Sequence, residues 1–427
     1  LSRVTIIGCG YVGLVTATGL ASLGHTVTGI DLNAALVHEL NLGKIRMLEP
    51  GLEELLDSEW KAKRLYFTTD YDSVAEAEFI FLAVDTPATP AGAANLSSIR
   101  AAVRSIAAAV KGEIPIIVNK STSPIGTGDT IDLLLRTILA GRKPRIVSNP
   151  EFLREGSALH DFLNPDRIVV GGSFEDASAV VALYEKLPGA RLLTDLRTAE
   201  MVKYAANTYL ATRVSFINEI ANLCGGLGLD VRDVIHGIGL DPRIGSHFLS
   251  PGIGYGGSCL PKDVAALRYT GESIGVSTPL LAAVEAVNRG QRTSVVRRLR
   301  ERLGPLDDRT IGVLGVSFKA GIRDARESPA VEVIQLLLNE GANVKAYDPS
   351  SPPNAPEEVR ARYVKTLLDA ATGADALLVL TEWPEFDDWS WPAIRDVMRG
   401  TIVFDGRNLL RKYDVEHSGL TYLGVGQ

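Results

Sequence analysis

The chain has 427 residues, 46% of them hydrophobic and 22% charged, and its 44 Lys and Arg against 51 Asp and Glu give a formal net charge of −7. That length accommodates two or three domains with separate cores, and the acidic balance argues against a surface built for nucleic acid or anionic membrane. No apolar stretch approaches the ~20 residues that span a bilayer, and three scattered cysteines (Cys9, Cys224, Cys259) make neither a disulfide framework nor a CxxC metal site.

The first residues run directly into an apolar strand at 4–7, with no basic n-region or small-residue cleavage site, so a soluble protein of a reducing, cytoplasmic compartment is expected. A glycine turn leads into a helical apolar pattern over 14–23. Gly24 closes it, and a second strand follows at 25–31. Further apolar strands fall at 79–83, 114–118, 146–148 and 168–170, separated by helical periodicity. This alternation predicts a parallel sheet covered on both faces.

The rhythm changes after about residue 192. Residues 195–224 contain neither Pro nor Gly and are apolar at helical spacing on more than one side, which predicts a long helix ended by Gly225-Gly226 and buried on several faces. A second helix is predicted over 279–303. The segment 304–308 reads as a hinge, and strands at 310–315, 343–347, 376–380 and 401–404 with a helix at 330–339 begin the α/β pattern again. The expected architecture is α/β, with two Rossmann-like doubly wound domains (residues 1–193 and 305–427) joined by a central helical domain (194–304).

Gly8-Cys9-Gly10-Tyr11-Val12-Gly13 follows a strand and opens a helix, the context a dinucleotide fingerprint requires. Its glycines permit a tight turn, close approach to a pyrophosphate, and close helix–strand packing at the positive end of the helix. Asp31 ends the next strand, where a carboxylate accepts ribose hydroxyls and repels a 2′-phosphate, so NAD is expected over NADP. Cys9 reads as a small filler and Cys224 as core.

Gly254-Tyr255-Gly256-Gly257-Ser258-Cys259-Leu260-Pro261-Lys262-Asp263 places Cys259 before a helix, with Pro261 in the first turn. The helix dipole and the neighbouring Lys262 both favour a thiolate there. Near a nicotinamide, such a thiolate can attack an aldehyde. A buried apolar cysteine is the competing reading. The six histidines form no metal-binding pair, so no metal is expected.

The fingerprint, Lys120-Ser121-Thr122-Ser123-Pro124, Ser148-Asn149-Pro150-Glu151-Phe152-Leu153-Arg154-Glu155-Gly156 and the cysteine loop occur in that order. Gly315-Val316-Ser317-Phe318-Lys319, Arg326-Glu327-Ser328-Pro329 and Asp405-Gly406-Arg407-Asn408 follow. Together they resemble the UDP-glucose/GDP-mannose dehydrogenase family from about residue 3 to the C-terminus. The resemblance implies NAD-dependent, four-electron oxidation of a nucleotide-sugar alcohol to a carboxylate, through a thiohemiacetal and a thioester on the cysteine. A long helix apolar on more than one side needs a further partner, so a homodimer built on residues 195–224 is expected.

Site roles follow from the same resemblance. Lys203 and Asn207, four apart on the long helix, share a face; the lysine holds or takes the alkoxide proton, and the amide donates to that oxygen. Glu151 organises the lysine and Glu155 activates water, directly or through Thr122 and Asp263, although the two glutamate roles can be exchanged. The two glutamates share a face if their segment is helical. The cofactor contacts implied are Gly8, Gly10, Tyr11, Val12, Gly13, Asp31, Thr86, Thr122, Glu155, Lys262 and Arg326. Substrate contacts are Glu151, Phe152, Leu153, Lys203, Asn207, Arg243 (reaching a partner subunit's site), Phe248, Tyr255, Gly256, Phe318, Lys319 and Arg407.

Three positions depart from the family pattern. Arg323 stands where relatives often carry an acid, Ser250 where some carry Lys, and Leu260 follows the cysteine as in GDP-mannose enzymes. Lys120-Ser121-Thr122 and the 161–167 segment resemble the UDP-glucose branch instead, and UDP-glucose is the expected substrate. GDP-mannose, a UDP-N-acetylhexosamine, a simpler two-electron hydroxyacid oxidation and a non-catalytic nucleotide-binding module are the alternatives.

Overall fold

A computed structural model describes residues 1–89 and 91–427. The chain forms two compact units, Leu1–Ala206 with Ala265–Gly275, and Asn207–Val264 with Val276–Gln427.

The first unit is built on eight strands: β1 (Arg3–Ile7), β2 (Thr26–Ile30), β3 (Leu65–Thr68), β4 (Phe79–Leu82), β5 (Ile116–Asn119), β6 (Arg145–Ser148), β7 (Arg167–Gly171) and β8 (Ala190–Thr194). They lie in the order β3-β2-β1-β4-β5-β6-β7-β8. Alternate residues feed two apolar layers, one on each face: Val4, Ile6, Phe79, Phe81, Ile116 and Val118 on one, and Ile7, Ile80, Leu82 and Ile117 on the other. Burial on both faces is why these strands read as continuous apolar runs.

The expectation of a wholly parallel sheet needs one correction. β7 meets β6 antiparallel, at Ser148↔Gly171, and β8 runs parallel to β7. The connection between β6 and β7 contains only the six-residue helix Ala158–Leu163, about 9 Å long at 1.5 Å per residue. It does not carry the chain back along the sheet for a parallel return.

The second unit contains β9 (Thr310–Leu314), β10 (Asn343–Tyr347), β11 (Ala376–Val379), β12 (Ile402–Asp405) and β13 (Thr421–Gly424), in the order β10-β9-β11-β12-β13 and all parallel. Its layers repeat the two-faced pattern, with Ile311, Val313, Leu378 and Phe404 on one side and Leu314, Leu377, Val379 and Val403 on the other.

The long helix runs Leu196–Leu227, past the glycine pair expected to end it. Gly225 and Gly226 are exposed and keep helical backbone. The stop comes at Gly228, with φ +68°, where Leu229 N–H donates to Cys224 O at 2.9 Å. That six-to-one bond across a left-handed glycine is a Schellman cap. Cys224 is buried core, as expected.

Candidate functional site

In the first unit the fingerprint lies at the carboxyl ends of the strands, where open α/β sheets receive ligands. Gly8 has φ +92°, and a Cβ on Gly13 would sit 1.8 Å from Gly8 O, so the turn and the helix–strand contact both require glycine. A Cβ on Gly10 would meet nothing within 4 Å. The backbone there is open in front of the helix Tyr11–Ser22, whose N-cap Gly10 offers no side-chain cap to the first amides. These features fit a pyrophosphate at a helix N-terminus. Asp31 Oδ2 accepts from Cys9 N–H at 2.9 Å and Oδ1 accepts from Asn33 N–H at 2.9 Å, so the carboxylate also ties the turn to the end of β2. Cys9 is 1% exposed, and burial pushes its thiol far up, as suits a filler.

Glu49, which the sequence reading passed over, holds this turn to the segment bearing Glu155. It is buried, its carboxylate accepts a hydrogen bond from the Tyr11 hydroxyl, and it accepts from Gly156 N–H (3.0 Å) and Leu159 N–H (3.1 Å). Nothing local in its sequence marks this role, because all its partners are distant along the chain.

A second cluster lies beyond the ends of β5 and β6. Lys203 Nζ is 2.9 Å from Glu151 Oε1 in a fully buried pair. Glu151 Oε2 accepts from Leu153 N–H at 2.6 Å, and Thr122 Oγ1 lies 3.5 Å from Oε1. Burial alone would raise the Glu151 pKa, but the Lys203 ammonium and the Leu153 amide outweigh it and hold the carboxyl below its ordinary range. The Phe152 ring lies under Lys203 Nζ (5.5 Å to the centroid) and under the Arg167 guanidinium (4.0 Å). Thr86 Oγ1 donates to Thr122 O at 2.6 Å.

The segment from Glu151 to Glu155 is not helical, so the two glutamates do not share a helical face. Pro150 starts it, and Glu151 spends an oxygen on the backbone two residues later, a local bond that competes with helix. Glu151 is therefore the buried partner of the lysine, while Glu155 is half-buried in a turn.

Glu200, one helical turn before Lys203, also escaped the sequence reading. Its carboxylate accepts from Gly126 N–H (2.6 Å) and Gly128 N–H (2.7 Å) at the start of the helix Thr127–Ile138. Burial pushes its pKa up to about 7 although those amides pull the other way. It fixes the long helix where Lys203 leaves it.

In the second unit Cys259 directly precedes the helix Leu260–Ser273, and its carbonyl accepts the first helical bond, from Asp263 N–H at 2.9 Å. The half-buried thiol lies 3.6 Å from Ser258 Oγ. Asp263 is fully buried and accepts from Asn207 Nδ2 at 2.6 Å and Lys262 Nζ at 2.9 Å. The expected effect of Lys262 on the thiolate is therefore shared with a carboxylate, which leaves the helix N-terminus as the less encumbered influence.

The glycine loop before Cys259 is held by the helix Pro279–Leu303. Asn288 brackets the Tyr255 backbone, accepting from its N–H (2.8 Å) and donating to its O (3.1 Å), and Arg292 Nη2 donates to the same oxygen at 2.9 Å. A Cβ on Gly256 would sit 2.1 Å from Glu327 O, so only glycine fits. Phe318 packs against Gly257, and Arg407 Nη1 reaches Gly254 O at 3.4 Å while its Nε donates to Leu380 O at 2.8 Å.

Lys319 is exposed in the loop after β9. Phe248, 40% exposed, has a left-handed backbone at φ +58°. Arg243 is 86% exposed and paired with Asp241, and Arg326 Nε donates to Asp324 at 2.7 Å.

A glycine fingerprint at β1, an acid at β2 and a second parallel sheet define an NAD-binding oxidoreductase of the two-sheet type. The chain belongs to the UDP-glucose/GDP-mannose dehydrogenase family, matching its NAD binding domain over residues 2–188, its central domain over 197–290 and its UDP binding domain over 312–412. It is 40% identical to the UDP-glucose 6-dehydrogenase TuaD of Bacillus subtilis, across 100% of this chain and 94% of that protein. A UDP-glucose dehydrogenase structure from Pyrobaculum islandicum has a TM-score of 0.91 at 38% identity, covering 100% of this chain and 98% of the other. A UDP-D-ManNAc dehydrogenase structure from Pyrococcus horikoshii has a TM-score of 0.89 at 28% identity, covering 99% of each chain. Among the described residues no helix is long and apolar enough to cross a membrane.

Proposed function

We propose that the protein oxidises C6 of UDP-glucose to UDP-glucuronate with two equivalents of NAD. The observation that carries this reading is Cys259 at a helix N-terminus in a chain that also bears an NAD fingerprint. A two-electron alcohol dehydrogenase has no use for such a thiol. The names of the full-length relatives support UDP-glucose as the sugar nucleotide, and the likeness to a UDP-D-ManNAc dehydrogenase keeps a UDP-N-acetylhexosamine as the second reading.

Bound NAD, on Gly8, Gly10, Tyr11, Val12, Gly13 and Asp31 with Thr86, Thr122, Glu155, Lys262 and Arg326, supplies a hydride acceptor. The chain's own residues do the rest. Lys203 takes the C6 hydroxyl proton, and the Asn207 amide donates to the same oxygen. After the first hydride leaves C6, the Cys259 thiolate adds to the aldehyde carbon, and the carbonyl oxygen gains a proton. Loss of a second hydride and that proton leaves a thioester. Water, positioned by Glu155, Thr122 and Asp263, attacks the carbonyl; the C–S bond breaks, the thiol is restored and the carboxylate leaves. The sum is one alcohol, two NAD and one water to one carboxylate, two NADH and three protons.

Glu151, Phe152, Leu153, Tyr255, Gly256, Phe248, Phe318, Lys319 and Arg407 complete the substrate contacts in this reading. Tyr209, Phe216 and Leu223 are 60%, 52% and 57% exposed at seven-residue spacing on the long helix, an apolar stripe suited to a second copy. A homodimer on that helix would let Arg243 serve its partner's site.

The test is a panel of UDP-glucose, GDP-mannose and UDP-N-acetylmannosamine compared by kcat/KM with NAD. UDP-glucose should exceed the others by about a hundredfold, the order of discrimination that one misplaced substituent in a pocket costs. Equal or greater turnover of another sugar nucleotide contradicts the assignment.

A further inference from the structure

Arg154 to Ser157 form a turn closed by Ser157 N–H, which donates to Arg154 O at 3.0 Å. Glu155 and Gly156 are its two central residues, and Gly156 has φ +83°. Arg154 anchors the start of the turn, its N–H and its Nε each donating to Asp161 at 2.9 Å. The peptide between Glu155 and Gly156 is held from another part of the chain. Gly156 N–H is shared between Tyr11 OH (2.7 Å) and Glu49 Oε2 (3.0 Å), and Glu49 Oε1 accepts from Leu159 N–H (3.1 Å) in the helix Ala158–Leu163. The Tyr11 hydroxyl donates to Glu49 in turn. Glu49 is 6% exposed, and its own carbonyl accepts from Leu52 N–H at 3.2 Å where the helix Leu52–Lys61 begins.

We propose that Glu49 is a positioning residue for Glu155, holding the Glu155–Gly156 peptide so that the Glu155 carboxylate stays on the water that cleaves the thioester. This rests on the reading of Glu155 as the group that positions that water.

The backbone geometry carries the argument. A peptide unit is planar, so fixing the direction of Gly156 N–H fixes ψ of Glu155, the torsion beside the carbon from which its side chain leaves. The turn's own hydrogen bond uses the N–H of its fourth residue and leaves that of its third, Gly156, to find another partner. A carboxylate is a stronger acceptor for that amide than a neutral group. Burying a carboxylate is costly, and the donors that offset the cost at Glu49 lie on the cofactor turn and on the segment bearing Glu155. Burial pushes the Tyr11 phenol far up, and Glu49 adds to the effect, so the hydroxyl keeps its proton and remains a donor. In the step served, the water oxygen bonds to the acyl carbon and the C–S bond breaks with its electrons going to sulfur. One water proton passes to Glu155 and on to the sulfur, and the carboxylic acid formed releases the other to solvent.

The test is a single turnover with protein in excess over UDP-glucose and NAD saturating. Stopped-flow absorbance follows NADH, and peptide mass after acid quench follows the acyl group on Cys259. In Glu49→Gln one acceptor oxygen becomes an NH2 that cannot accept from a backbone amide. Two NADH per sugar should form at parental rates, whereas hydrolysis should slow about tenfold, as a misplaced catalytic group predicts, and the acyl group should build up on Cys259. Only chains that form NADH are counted, so unfolded protein does not enter the rate. Glu49→Asp keeps the charge but is one methylene shorter, cannot reach both amides, and should behave in the same way; it replaces Glu49→Gln if that variant does not fold. Hydrolysis at the parental rate, equal slowing of all three steps, or no NADH from either variant overturns the proposal and leaves Glu49 a packing residue. Glu155→Gln separates the two readings, because it should accumulate the same acyl group. If it hydrolyses at the parental rate, the water role of Glu155 falls and the Glu49 proposal with it. If it accumulates the acyl group while the Glu49 variants do not, only the Glu49 proposal falls.

Discussion

Lys203 Nζ lies 2.9 Å from Glu151 Oε1, and the two side chains are only 5% and 4% exposed. A buried pair of this kind is weak evidence for stability as a whole, but removing one partner strands the other charge. Glu151→Gln should cost about 3 kcal/mol of folding stability, a loss limited because Lys203 can shed its proton. The same change should slow the first hydride transfer about a hundredfold, since the amine loses its orientation. Chemical denaturation and stopped-flow NADH absorbance measure the two effects. Unchanged values in both would mean that the pair is incidental.

Cofactor choice turns on Asp31, but that carboxylate also accepts from Cys9 N–H. Asp31→Ala would therefore loosen the turn as well as remove the charge. Asp31→Asn keeps an acceptor oxygen and is the sharper probe. The ratio of kcat/KM for NAD over NADP should fall about tenfold, as removal of one repulsive charge predicts. A ratio unaffected by the change, or equal use of both cofactors by the parent protein, contradicts the assignment.

The features legible in the sequence were those written locally. The fingerprint, the acid at the end of β2, the helix Pro279–Leu303 and strand β10 each carry their own periodicity and punctuation. Strands β3, β8 and β13 lie outside the sequence expectation; β13 is a four-residue edge strand ending in Gly424. β3 is a four-residue edge strand, and β8 alternates exposed and half-buried residues at the opposite edge, so neither shows a buried apolar run. The antiparallel step at β7 and the bond from Leu229 to Cys224 depend on where the chain returns, which composition does not encode. The site divides the same way. Cys259 and Lys203 stand out through motif and family likeness, whereas Glu49, Glu200, Asn288 and Arg292 act on backbone groups far away in sequence.

Assembly can be tested on the exposed stripe of the long helix. Phe216→Arg puts a charge in the middle of the apolar surface formed with Tyr209 and Leu223. Light scattering should show a dimer for the parent chain and a monomer for the variant, with lower activity if Arg243 works in the partner's site. A fully active parent monomer at all concentrations contradicts the dimer.

Stability should also report the burial of Lys120. Its folded pKa of about 8 lies below the ordinary 10.5, so between those values the unfolded chain holds more protons and stability rises with pH. The stability that Lys120 lacks below pH 8 should return as pH climbs toward 10.5. Relative to Lys120→Gln, the parent protein should therefore gain across that window and be at its greatest disadvantage below it. Parallel denaturation curves for the two proteins from pH 7 to above 10.5 would show instead that Lys120 titrates in the folded state as it does in water.

The central claim is that Cys259 carries the second oxidation. The most direct measurement is the number of NADH formed per UDP-glucose, with limiting sugar nucleotide and excess NAD, in the parent protein and in Cys259→Ala. The parent should form two, and Cys259→Ala at most one, slowly, stopping at the aldehyde or its hydrate. A Cys259→Ala protein that still forms two NADH per UDP-glucose at the parental rate would remove the thiol from the mechanism and leave the glycine loop as a binding element alone.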